Sequence, residues 1–275
     1  MTLFRTMICS LLITILLPLA QAHAYCSRVM NVPVATIGLS VIESGNLITG
    51  VYPEILAMLS NKEKCQFHLT IVPRARLEFL FENGQADVML PATRTPRRDQ
   101  AGIFVPLVRN RATLISVESS RPPVRSLQEL IERAGTKLVI VRGFDYGESY
   151  QQLLVTLQKQ GRLIIEAEPL SVARLLKSGA ADYTLMVSSI LAGAIETDTR
   201  VEDLSGKLRF EVLAELPWGE SGLYISRKSL SEEDSAALQD IFERLSRSGL
   251  VWKSFQRYYK KEVLNESLRP LEAGR

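Results

Sequence analysis

Two stretches of this chain repeat one short pattern, and that pattern most constrains what it can fold into. Phe81-Glu82-Asn83-Gly84-Gln85-Ala86-Asp87 runs into apolar Val88-Met89-Leu90, and Leu176-Lys177-Ser178-Gly179-Ala180-Ala181-Asp182 runs into Tyr183-Thr184-Leu185-Met186-Val187. Each reads as a helix end, a glycine stop, a short gap, an aspartate and a buried strand. Two copies with their aspartates 95 residues apart predict two lobes built on the same unit. The rest of the chain alternates in the same way. Val32 to Ile37 and Phe67 to Val72 are strand-like, with a helix from Tyr52 to Leu59 between them. Arg76 to Leu80 belongs to a helix that Gly84 stops, and Ser126-Leu127-Gln128-Glu129 is a capping box for a helix that Gly135 closes. Leu138 to Val141 is a buried strand and Gly147 to Gln160 a helix. An α/β chain of parallel sheets with crossover helices follows.

The amino end reads as an address. Arg5 precedes the apolar run Met7 to Leu19, and Ala22-His23-Ala24 fits small-x-small cleavage before Tyr25. That run is shorter than the roughly 20 residues needed to span a bilayer, so residues 1–24 are expected to be a cleaved signal peptide and the mature protein a periplasmic one with no stable membrane insertion. An uncleaved anchor is the competing reading. Once Cys9 leaves, Cys26 and Cys65 remain, each just ahead of a strand, and an even count in an oxidising compartment predicts that they bridge. With 33 basic and 30 acidic residues, the net charge of +3 argues against nucleic acid as a partner. Two histidines and three cysteines leave little for a metal site or for Ser-His-Asp or Cys-His chemistry. No cofactor and no metal are expected.

Further motifs carry a resemblance. Asn83 to Asp87 leads into Pro91-Ala92-Thr93-Arg94-Thr95-Pro96-Arg97-Arg98; Gly50-Val51-Tyr52-Pro53-Glu54-Ile55-Leu56 precedes it, and Arg247-Ser248-Gly249-Leu250-Val251-Trp252 with Tyr258-Tyr259 closes the chain. In this order and spacing, residues 31–260 resemble the family 3 periplasmic solute-binding proteins of the type II fold, the polar amino-acid receptors of ABC uptake systems. The resemblance implies two Rossmann-like lobes joined by a two-strand hinge, lobe one being residues 25–113 plus 217–275 and lobe two residues 114–216. Ala112-Thr113-Leu114-Ile115-Ser116 and Phe210 to Leu216 are the hinge candidates. A monomer and an inner-membrane ABC permease partner are implied as well.

Ligands of open α/β sheets sit beyond the carboxyl ends of the strands, where Pro91 to Arg98 falls. Thr95 suits an N-cap and Pro96 the first helical position, so a short helix should begin there with its free N–H groups available to an anion. Arg98 adds a fork able to hold a carboxylate bidentately; the resemblance gives it the ligand carboxylate, with help from Thr93. Arg98 as a surface residue beside Arg94 and Arg97 is the alternative. In Pro73-Arg74-Ala75-Arg76, the resemblance favours Arg76 over Arg74 as the inward cation, against a solvated basic helix face. From lobe two, Gly143-Phe144-Asp145-Tyr146-Gly147 offers Phe144 and Tyr146 as walls and Asp145 as a polar group. Trp218 is placed to cover the ligand or brace the hinge.

Departures from the pattern bear on the substrate. Where amino-acid receptors carry a carboxylate for the ligand ammonium, this chain has Ser188-Ser189, and the loop for an aromatic platform reads Ser40-Val41-Ile42-Glu43-Ser44. Glu43 is the candidate for the missing negative charge. The expected function is capture of a small polar, carboxylate-bearing ligand, an amino acid or a relative, by hinge closure, without catalysis. A periplasmic dehydratase or lyase on the same scaffold, drawing on Glu43, Asp145 or Glu220, is one alternative. A soluble receptor for a membrane sensor is the other.

Overall fold

A computed structural model describes residues 26–271. The expected signal peptide over 1–24, with Cys9 and the cleavage point before Tyr25, lies outside the described residues. The chain opens with β1 (Met30–Val34), a hairpin of β2 (Ile42–Ser44) and β3 (Leu47–Thr49), α1 (Val51–Glu63), β4 (Phe67–Ile71), α2 (Arg74–Glu82), β5 (Val88–Thr93), the short α3 (Pro96–Ala101) and β6 (Gly102–Asn110). A second set follows: β7 (Thr113–Val117), α4 (Leu127–Glu132), β8 (Leu138–Val141), α5 (Glu148–Lys159), β9 (Leu163–Glu166), α6 (Pro169–Ser178), β10 (Tyr183–Met186), α7 (Ser188–Glu196) and β11 (Leu208–Glu211). The chain then returns through β12 (Gly219–Ser226), α8 (Glu232–Arg247), α9 (Leu250–Tyr258), α10 (Lys261–Ser267) and β13 (Leu268–Pro270).

The strands make two bodies. One holds the sheet β13-β6-β12-β5 and the parallel pair β1–β4; the other holds a sheet in the order β11-β7-β10-β8-β9. The chain passes between them twice, over residues 111–112 and 212–218. The expected hinge segments overlap these crossings at Ala112 and over residues 212–216, while the rest of each is paired within one sheet: Thr113 to Val117 is β7, joined to β11 through Phe210 and Ile115 and to β10 through Leu185 and Leu114.

The repeated aspartates do the same job in both bodies. Gly84 and Gly179 end their helices at φ 69° and 72°, in the left-handed region that favours glycine. Three residues on, the Asp87 carboxylate accepts the N–H of Asn31 in β1 at 2.7 Å, and that of Asp182 accepts the N–H of Lys137, just before β8, at 2.8 Å. Each aspartate thereby ties the entry of its own strand to that of its neighbour. Arg28 and the Ser229 hydroxyl also bind Asp87, and Arg121 binds Asp182. The Ser126 hydroxyl caps α4 as the capping box predicts, while the Glu129 carboxylate reaches one residue further back than expected, to the Arg125 N–H.

Cys26 and Cys65 form a disulfide. It closes the entry to β1 and β4, which run parallel with Met30 opposite Phe67. The enclosed loop, 39 residues by sequence separation, corresponds to about 3–4 kcal/mol on the chain-entropy model. The double variant Cys26→Ser/Cys65→Ser is expected to lose stability of that order in urea unfolding, with a lowered midpoint and its fold retained; an unchanged midpoint would show that the loop is already closed in the unfolded chain.

The two bodies are pressed together. A single buried apolar cluster runs from Ile37 and Leu90 of the first to Val139, Val141, Phe144 and Ile190 of the second. Glycines permit the approach: a methyl on Gly193 of α7 would lie 2.5 Å from the Leu39 nitrogen, and one on Gly143 would lie 3.1 Å from that of Ala75. Glycine to alanine inside a helix ordinarily gains about 1 kcal/mol. Gly193→Ala should instead lower the melting temperature and raise the radius of gyration in small-angle scattering. A more stable variant of unchanged radius would mean that this contact yields freely.

Candidate functional site: a charged crevice between the two bodies

The crevice floor is built by the ends of β4 and β5. β4 stops at Ile71, and Pro73 leads into α2, whose first residue is Arg74. β5 ends at Thr93; Thr95 then caps α3, its hydroxyl accepting the Arg98 N–H at 3.4 Å, with Pro96 at the first turn. The cap and a six-residue helix aim Arg98 back under the crevice, where the residue is 1% exposed. Helical spacing places Glu78 one turn beyond Arg74, and its carboxylate lies between the two guanidiniums. Arg98 grips it bidentately, Nη2 to Oε1 at 2.5 Å and Nε to Oε2 at 3.2 Å; Arg74 Nη2 donates to Oε1 at 2.8 Å. Arg97, half exposed, reaches Oε2 at 3.3 Å and Glu82 at 2.9 Å.

The remaining donors are mostly engaged. Arg98 Nη1 donates to the Thr93 carbonyl at 2.8 Å, and Nη2 reaches the Gly143 carbonyl of the other body at 3.5 Å. Arg74 Nη1 donates to the carbonyl of Pro91, which follows a cis Leu90–Pro91 bond. Arg74 Nε is buried without a hydrogen-bond partner. Burial pushes the Glu78 carboxyl up, but the Arg74 and Arg98 guanidiniums outweigh it and hold Glu78 below the ordinary glutamate range. Burial, helped by the Arg98 charge, pulls Arg74 down against the attraction of Glu78. With two guanidiniums and one carboxylate, the buried trio carries one net positive charge.

Above this floor is a cavity of about 50 Å³, whose lining includes Arg74, Thr93, Arg98, Phe144, Asp145 and Tyr146. The structure therefore brings together five of the residues singled out in the sequence: Arg98, Thr93, Phe144, Asp145 and Tyr146. Glu43 lines an adjoining cavity that shares Arg74 and Phe144, and the remaining candidates lie apart. Arg76 is exposed, its guanidinium stacked over Phe79, and Arg74 points inward instead; counted from the helix start, Arg74 takes the buried face that Leu77, Glu78 and Phe81 continue. Ser188 is buried, its hydroxyl 2.6 Å from that of Ser267, where α10 meets α7. Trp218 is sandwiched between the guanidiniums of Arg111 and Arg269. Glu43 faces two neighbouring cavities of about 100 and 270 Å³ together with Glu168. The α3 amino end offers less to an anion than expected, because Thr95 already takes the Arg98 N–H.

Sequence reasoning set Arg74 behind Arg76 and missed Glu78, Asn110 and Ser221, all of which contribute to this region. The i, i+4 spacing of Arg74 and Glu78 was the available signal for their pairing. Nothing local links Glu78 to Arg98, twenty positions on. Among the described residues, no group of three or more His, Cys, Asp or Glu is placed to hold a metal ion.

No protein-family model matches this chain, and no curated protein matches it. Solved structures do. A histidine kinase sensor domain with similarity to periplasmic binding proteins aligns at a TM-score of 0.68 and 16% identity, over 88% of this chain and 98% of its own. A putative L-cystine ABC transporter protein from Listeria monocytogenes aligns at 0.67 and 13%, over 86% and 97%. An ancestral amino acid-binding protein, a precursor of cyclohexadienyl dehydratase, aligns at 0.65 and 14%, over 84% and 96%. The chain thus has the two-lobed α/β fold of periplasmic binding proteins, type II.

Glu78 yields a pH prediction. A carboxyl held low in the folded state contributes stability that is complete above its unfolded value, about 4.3, and fades as pH falls through its folded value. Glu78→Gln is expected to be less stable than wild type by about 3–5 kcal/mol near neutrality, as for a broken buried pair. In urea unfolding between pH 6 and 3, the gap between the two proteins should narrow toward acid. A gap constant across that range would remove Glu78 from the charge balance.

Proposed function

We propose that this is an exported solute-binding protein whose two lobes, residues 25–113 plus 217–275 and residues 114–216, close over a small polar ligand bearing a carboxylate. The observation that carries the reading is the buried Arg74–Glu78–Arg98 trio, with one net positive charge, facing Phe144, Asp145 and Tyr146 across the crevice. An interior charge of this kind calls for an anionic partner. Thr93 supplies a hydroxyl to the cavity and Asp145 a carboxylate for a ligand ammonium. Ligand would enter and be enclosed by rotation of the lobes about residues 111–112 and 212–218.

Delivery to an inner-membrane ABC permease, by a monomer, fits a binding protein with this fold. No helix among the described residues is long and apolar enough to cross a membrane, and the Cys26–Cys65 bridge suits an oxidising compartment. The second reading is the soluble half of a sensor, supported by the likeness to a histidine kinase sensor domain. A dehydratase or lyase finds less support, since a positioned acid or base is needed and Glu78 is held by three guanidiniums.

Isothermal titration of the purified protein against amino acids and short organic acids tests the proposal. At least one carboxylate-bearing compound should bind saturably, and Arg74→Gln should weaken it at least tenfold, in line with roughly 2–5 kcal/mol for truncating a buried charge partner. Absence of any saturable ligand, or equal affinity in Arg74→Gln, would overturn it. Turnover of a bound acid followed by NMR would move the assignment to an enzyme.

A further inference from the structure

Arg98 has five N–H donors in a planar fork. Four are spent: two on Glu78, one on the Thr93 carbonyl and one on the Gly143 carbonyl. The edge of the guanidinium best shaped for a carboxylate is the edge that Glu78 occupies. Glu78 is itself buried and reaches this place from α2 of the same body. Its carboxylate does for Arg98 what a bound anion would do, and the closing hydrogen bond to Gly143 forms in its presence.

We infer that Glu78 is a resident carboxylate, an internal ligand that fills the arginine clamp of the crevice and sets what the crevice accepts. This rests on the reading of the crevice as a ligand site and deepens it. An outside ligand meets the single net positive charge of the trio through the polar rim of the cavity, with the Nε–Nη2 edge of Arg98 already taken by Glu78. A cavity of about 50 Å³, against about 10–15 Å³ for one water, has room for a compact anionic group above the floor. The ligand class is therefore a compound presenting one carboxylate to the floor, with a second anionic group excluded by Glu78.

Truncating Glu78 to alanine removes Cγ, Cδ and the two carboxylate oxygens, which are the heavy atoms of acetate. Chemical complementation tests the inference directly, with acetate as the probe and chloride at equal ionic strength as the control. Glu78→Ala should melt below wild type in chloride and recover by about 4 °C or more in acetate, saturably, with isobutyrate failing because it exceeds the vacated space. Glu78→Gln keeps the space filled and should not respond. Wild type should shift by the same amount in both salts. If Glu78→Ala responds equally to acetate and chloride, or if Glu78→Gln is rescued as well, the internal-ligand role is wrong. Should Glu78→Ala not be recovered as soluble protein, its refolding yield in the two salts gives the same reading, and equal yields overturn the inference. This readout needs no natural ligand. A failed ligand screen on wild type therefore sinks the binding function alone, and failed complementation sinks the role of Glu78 alone.

Discussion

One carboxylate held between two buried guanidiniums organises the centre of this molecule. Glu78 neutralises one of the two charges that Arg74 and Arg98 bring under the crevice, and without it two like charges would face each other in a dry interior. Much local geometry serves that arrangement. The α2 register sets Arg74 and Glu78 one turn apart, the Thr95 cap turns α3 so that Arg98 points back, and the Thr93 and Pro91 carbonyls take the leftover donors. A buried ion pair of this kind adds little net stability over an apolar replacement. Net stability alone therefore does not account for a charged trio at this place.

The sequence made the architecture legible and the site only partly so. Helix stops at Gly84 and Gly179, the Ser126 cap and the cysteine pair are local signals, readable because the physics behind them spans a few residues. The role of the repeated aspartates was visible as a pattern and not as a mechanism, since the strand each one ties is remote in sequence: Asn31 for Asp87, Lys137 for Asp182. Arg98 could be placed in the crevice because strand end, cap and short helix follow in order. Its partner could not, because the contact with Glu78 depends on how α2 and α3 pack. Arg76 was preferred to Arg74 on resemblance, whereas the buried face of α2 chooses Arg74. Trp218 could be read as covering the ligand or bracing the hinge, and the guanidiniums of Arg111, beside the first crossing, and Arg269 over its ring favour the bracing role.

The fold leaves several uses open. Chains of similar shape include a kinase sensor domain, a transporter component and a precursor of a dehydratase. What separates such uses lies in crevice residues and outer surfaces, not in the order of strands. In this chain the crevice floor is charged, and Gly143 and Gly193 allow backbone to approach backbone between the two bodies.

The route of the chain between its two sheets has a consequence for biogenesis. β12 lies in the middle of its sheet, between β6 and β5, and β13 completes the far edge. A ribosome releases β5 and β6 early, yet their shared partner emerges only after the whole five-stranded sheet has been made. The second body can consequently fold first, while the opening segment waits with unsatisfied strand edges that invite chaperones or aggregation. Maturation of this protein is thus gated by arrival of its last fifth, and nascent chains halted before residue 219 would carry one finished body and one open sheet.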